Sequence, residues 1–189
     1  IARRWLGGYL AAAVAVFAAG AGLGWLLIGG VSLSALAEFG TEASLFPSRI
    51  TVRTILVNNL LALAVILSGV VTFAVTTAVS LLFNGLLIGF FLGAAAPATL
   101  PATFALIVPH GILELPAFWI AGAVAFRVTH RLIRYLRGEA DAVLPRPERY
   151  EALLLAVLAI GLIVVAAVIE ARFTVEIAEW LTGRQFESP

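Results

Sequence analysis

Long apolar stretches, each almost free of charge, leave this chain little choice but to bury itself in a bilayer. A membrane-spanning helix needs about 20 apolar residues at roughly 1.5 Å of rise each. Trp5–Val31, Val52–Thr77, Val79–Ala96, His110–Val128 and Ala152–Ala171 meet or approach that length. Only 12% of the 189 residues are charged, where a soluble domain carries about a quarter, so too little polar surface remains to cover a globule. The expected fold is all-α: a polytopic membrane helical bundle of about five transmembrane helices, forming a single integral membrane domain over residues 1–189. A cleaved signal peptide is not expected, because the apolar run behind Arg3 and Arg4 exceeds a signal h-region. Ile1 in first position fits a chain trimmed at its start or lacking an N-terminal extension.

Between the spans, polar and breaking residues set the connections. Thr76-Thr77 predicts a very tight link, so spans two and three should form an antiparallel hairpin. Pro97 and Pro101 should end the third helix, since proline lacks an N–H and clashes with the preceding turn. Thr99–Val108 is apolar but too short to cross, which predicts a re-entrant or interfacial segment before the fourth span. Residues 32–50 hold Glu38, Glu42, Pro47 and Arg49, and residues 172–189 hold Phe173, Ile177, Trp180 and Leu181 at helical spacing. Both read as amphipathic segments at the outer membrane surface.

Arginine bias gives the orientation. The N-terminus and the 127–149 loop share Arg3, Arg4, Arg127, Arg131, Arg134, Arg137, Arg146 and Arg149, while the other side has Arg49, Arg53, Arg172 and Arg184. Eight against four predicts a multi-pass plasma-membrane protein, N-terminus cytoplasmic and C-terminus extracytoplasmic. The loop arginines alternate with Glu139, Asp141, Glu148 and Glu151, so anionic lipid headgroups explain them and nucleic acid is not called for. Trp5, Trp25 and Trp180 fall near interfaces as anchors, and Trp119 lies deep enough to be core.

The polar residues inside this apolar frame are the candidates for function, because an ionisable group at membrane depth is expensive. His110 and Glu114 stand one helical turn apart on one face of the fourth span. Asn58 and Asn59 fall in the same outer half of the second span, and Asn84 lies deeper on the third. The plain reading is that they stitch helices together and satisfy backbone freed by the prolines. As zinc ligands His110 and Glu114 make a weak pair, because a site needs about three ligands and no second histidine is near. Glu42 is the one carboxylate imaginable as a third. There is no cysteine, no HExxH, and a single aspartate, Asp141, on the loop, so thiolate, metalloprotease and Ser/His/Asp chemistry lack support and no cofactor is implied. A proton relay through the pair lacks a further carboxylate toward the inner face.

Small residues recur at four-residue spacing, Gly85, Gly89 and Gly93 on span three and Gly20 with Gly24 on span one. Such stripes let helix backbones approach closely. For span three the expectation is packing on span two, while span one could pack internally or form a homodimer seam.

Taken together, Arg53–Asn59 (RTILVNN), Phe83-Asn84-Gly85 with Gly89 and Gly93, and Pro109-His110-Gly111 followed by Glu114-Leu115-Pro116-Ala117 resemble the stage II sporulation protein M family of integral membrane proteins. The resemblance covers the core from residue 51 to 127, and the motif positions are Asn58, Asn59, Asn84, Pro109, His110, Gly111, Glu114 and Pro116. It implies a membrane anchor and organiser, since in sporulating bacteria the namesake works with peptidoglycan-degrading enzymes. Any hydrolytic chemistry would then sit in envelope partners such as cell-wall remodelling enzymes. The resulting expectation is a non-enzymatic scaffold at the cell envelope. The alternative is lipid, solute or ion handling through an outer-leaflet polar cavity at His110 and Glu114, with a metal-dependent intramembrane enzyme behind it.

Overall fold

The computed structural model describes residues 5, 7–27, 52–95 and 100–182; for most of residues 100–110 and 171–182 the description is of the helical backbone. Among the described residues five helices follow one another: α1 Gly8–Leu27, α2 Val52–Ser68, α3 Val75–Ala94, α4 Leu100–Leu136 and α5 Arg146–Thr182. The all-α bundle expected from the sequence is therefore present. Four of the five, all but α2, are long and apolar enough to cross a membrane, and α2 is a shorter apolar helix of 17 residues.

The bundle is assembled from two tight pairs with α2 set between them. The first pair is α1 with α3, where backbone meets backbone. A Cβ built on Gly20 or Gly24 would overlap the Leu82 or Leu86 carbonyl, and one on Gly85 or Gly89 would overlap the Phe17 or Ala21 carbonyl. The glycine stripe of span three thus packs on span one and not on span two, which corrects the sequence expectation. Its physical reason is complementarity: both helices carry small residues at the same spacing, whereas α2 offers Leu60, Leu63 and Leu67 instead. Gly20, Gly24, Gly85 and Gly89 are thus packed within one chain.

The second pair is α4 with α5, two antiparallel helices of 37 residues each. Their length, about 55 Å, exceeds the roughly 30 Å of hydrocarbon in a bilayer. The apolar piece before span four is helical from Leu100 and runs without a break into the span. Pro101 stands in the first turn of α4, where a missing N–H costs nothing, so it starts a helix. Likewise α5 continues through Arg172 to Thr182; residues 172–182 extend the fifth span and are not a separate surface helix. The predicted segment 32–50 and residues 183–189 lie outside the described residues.

A link over residues 69–74, not Thr76-Thr77, joins α2 to α3. Phe73 and Ala74 take positive φ there, and hydroxyls satisfy the turn. Thr76 N–H donates to Thr72 Oγ1 at 3.1 Å, and buried Thr77 Oγ1 donates to the Ile66 carbonyl at 2.7 Å. The main core lies where α1, α2, α3, α4 and α5 meet, around Ala13, Leu63, Leu81, Phe118 and Ile163. Apolar side chains such as Phe83, Leu153 and Val157 point outward, as a lipid-facing surface requires.

Candidate functional site

Two polar clusters stand out, one toward each end of the bundle. In the half away from the arginines, α2 and α4 run side by side and the Asn59 amide Nδ2 donates to Glu114 Oε1. Asn59 and Glu114 are both half-buried, and Pro116 lies just beyond Glu114 within the same continuous helix. Glu170 of α5 is half-buried in the same half of the bundle. The antiparallel register explains this placement. Glu148 of α5 meets Arg131 of α4, and twenty-two residues further along α5 is Glu170, opposite the turn that leads into Glu114.

The sequence-predicted residues are thus only partly gathered. Asn59 and Glu114 meet; Asn58, its neighbour, is exposed on the outer face of α2 and does not join. Asn84 turns back on its own helix, its Nδ2 donating to the Ser80 carbonyl at 2.8 Å. Gly111 is buried in α4 and Gly93 half-buried near the end of α3. His110 belongs to the helical backbone of α4, one turn before Glu114, and its side chain lies outside the described residues, as does all of Glu42. Glu170 stands at the end of the fifth apolar span in the sequence, and only the α4–α5 register sets it at the level of the turn before Glu114. Among the described residues no three histidine or carboxylate side chains gather as a metal would require. An amide and a carboxylate in contact can hold a proton or a cation between helices.

At the opposite end a denser cluster fastens α1, α4 and α5. Arg127 and Glu148 form an ion pair at 2.9 Å with side chains only 10% and 9% exposed, and Arg131 reaches the other Glu148 oxygen at 3.3 Å. The Arg127 guanidinium also lies over the Trp5 ring, 4.8 Å from its centroid, a cation–π contact that shields it further. Trp5 is fully buried and its Nε1–H donates to Glu151 at 2.7 Å. It is therefore a core pin and not the interface anchor expected from its position. Tyr9 Oη and His130 Nδ1 share a hydrogen bond at 2.6 Å. A sequence signal for this cluster existed: Arg127 and Arg131 share one helix face at i and i+4, and Glu148 stands in the first turn of α5. The link between the two helices is closed by Gly138 at φ 73°, with Glu139 N–H donating back to the Arg134 carbonyl at 2.9 Å.

Comparison with known proteins places this architecture. No solved structure matches the chain. An uncharacterized protein of Methanocaldococcus jannaschii is 36% identical over 77 residues, a stretch that makes up 41% of this chain and 43% of the relative. The chain thus spans less than half the length of that relative. The model of the family described as stage II sporulation protein M matches residues 13–175, taking in α1 and most of α5 beyond the stretch that carries the NN, FNG and PHG motifs. The chain belongs to the stage II sporulation protein M family of membrane proteins.

Proposed function

We propose that this protein is a non-enzymatic membrane scaffold that holds envelope proteins at its extracytoplasmic side, with the arginine-rich end in the cytoplasm. The observation that carries this reading is the length of the α4–α5 hairpin. Both helices have 37 residues, and residues 171–182 of α5 include Arg172, Glu176 and Glu179, too much charge for hydrocarbon. The register carries residues 100–110 of α4 along the same level. The hairpin therefore extends about 16 Å past the bilayer as a paired helical post, with Trp180 and Arg172 exposed on it. Family membership supports the choice of partner class, namely proteins that remodel the cell wall. Membrane lipids surround the rest, and a homodimer would have to use a surface other than Gly20, Gly24, Gly85 and Gly89.

A photo-crosslinking residue placed at Arg172 or Trp180 in native membranes tests this, with Leu153 and Val157 as lipid-facing controls. A defined envelope-protein adduct at the first two positions, missing at the controls, is the expected result. Lipid adducts alone at all four positions would remove the scaffold reading.

A second reading follows from the α4–α5 register, which sets Glu170 one turn from the level of Glu114. The two carboxylates and Asn59 would handle a cation in the outer half of the bundle. Metal analysis of the purified protein beside Glu114→Gln decides it: stoichiometric metal lost in the variant favours this reading, and none in either chain removes it.

A further inference from the structure

The lipid-facing side of α5 changes character at its base. Leu153, Leu154, Val157 and Leu158 are about half or more exposed and form one outward stripe. One turn toward the arginine-rich end the same face carries Tyr150, 73% exposed, and then Arg149 and Arg146, both exposed. Read along the helix, the order is aliphatic, phenolic, guanidinium. A phospholipid presents acyl chain, glycerol ester and phosphate in that same vertical order.

Several other charges at this end already have structural work. Glu148 engages Arg127 and Arg131, and Arg134 pairs with Glu139 at 3.4 Å. Trp5 donates to Glu151. Among the described residues Arg146 and Arg149 take part in no ion pair. Their location also runs against a local rule. Cations in the first turn of a helix oppose its dipole, and the one acid of that turn, Glu148, is turned inward to α4. Two arginines held at an unfavourable position, directly below an apolar stripe, call for a partner of opposite charge.

We infer that Arg146, Arg149 and Tyr150, with Leu153, Leu154 and Val157 above them, form a docking surface for one anionic phospholipid of the leaflet at the arginine-rich end. Guanidinium forks match phosphate oxygens, the tyrosine sits at headgroup level, and the stripe receives the acyl chains. This goes beyond the general attraction of basic loops to anionic membranes, because Arg137 is equally exposed but lies in the link, off the stripe.

The test uses the full chain reconstituted in vesicles of equal parts phosphatidylglycerol and phosphatidylcholine, extracted gently and examined by native mass spectrometry. Wild type should retain phosphatidylglycerol in clear excess over phosphatidylcholine. R146Q/R149Q should lower that ratio by about thirtyfold and R149Q alone by about fivefold, as two charges and one charge near a surface do. R146K/R149K should keep most of the preference, and R137Q should keep all of it. Uptake of the two lipids in proportion to the vesicle would overturn the inference. So would an equal loss in R137Q, which would show a response to total charge and not to this surface. Should R146Q/R149Q fail to fold, the wild-type ratio, R149Q and R137Q still decide the matter.

Discussion

The α1–α3 seam makes the sharpest prediction about how this bundle is held. In Gly20→Ala the new Cβ would stand 2.9 Å from the Leu82 carbonyl carbon and 3.1 Å from its Cα, with the carbonyl oxygen closer still. Carbon atoms rest at about 3.5–4.0 Å, and backbone cannot rotate away as a side chain can. The helices must therefore separate by about 1 Å at a seam where Gly24, Gly85 and Gly89 are in equally close contact. A gap of that size forfeits a quarter to a half of each dispersion contact. Over some tens of atom pairs at about 0.1–0.2 kcal/mol each, the loss is about 2–3 kcal/mol. Alanine returns up to about 1 kcal/mol through helix propensity, leaving a net cost of about 1–2 kcal/mol. Gly22, on the same helix, is the internal control, because a Cβ there meets nothing within 4 Å. Gly22→Ala should leave stability unchanged or slightly raised. Reversible unfolding in mixed micelles, titrated with SDS and followed by far-UV circular dichroism, reads the difference directly. Equal midpoints for the two variants would refute the packing argument. A Gly20→Ala chain with an unchanged midpoint but an altered oligomeric state would hand the stripe to an intermolecular seam.

Asn59→Ala should cost about 1 kcal/mol by leaving Glu114 without its donor, whereas Asn58→Ala should stay within about 0.5 kcal/mol; the same micelle titration compares them. Glu148→Gln should cost about 3 kcal/mol, because it breaks the buried ion pair with Arg127, and the double variant R127M/E148L should recover most of the loss. Thr77→Val, which removes the bond to the Ile66 carbonyl inside the core, should cost about 1 kcal/mol in the same titration. Since the chain has no cysteine, Trp180→Cys and Val157→Cys can be probed without background. A membrane-impermeant thiol reagent should label the first and spare the second, and labelling of both would contradict the projecting post.

How much of this was legible beforehand depended on whether the signal was local. The apolar spans and the placing of Asn59 and Glu114 in the same half of the bundle follow from hydropathy and span boundaries, which are short-range properties. What failed were inferences that needed to know which helix stands beside which. Gly85 and Gly89 announce a close approach but not to whom, and the partner turned out to be Phe17 and Ala21 of the first helix. Pro97 and Pro101 announce a break, and the break falls before Leu100, with Pro101 inside the new helix. Arg127 and Glu148 looked like members of an alternating solvated loop, because their pairing depends on how α4 and α5 turn against each other.

The distribution of forces then gives the residues of the family motif a physical task. The α1–α3 pair is joined through backbone contact, and the α4–α5 pair through a long antiparallel face with a buried ion pair at one end. Helix α2 has neither device. It is the shortest of the five, and besides apolar packing its ties to other elements include Asn59 to Glu114 of α4 and the Ile66 carbonyl to Thr77 of α3. In a bilayer apolar contact does little to choose between neighbours, since lipid is as apolar as the helix, and hydrogen bonds and small-residue packing decide position. Asn59 and Glu114 therefore set the rotation and height of α2 against α4. The asparagine of the NN motif and the glutamate of PHGILE meet where the least anchored helix is fixed, and rotating α2 would expose Asn59 to lipid while turning Asn58 inward. That constraint is sufficient to explain why a chain with so few polar residues places them there.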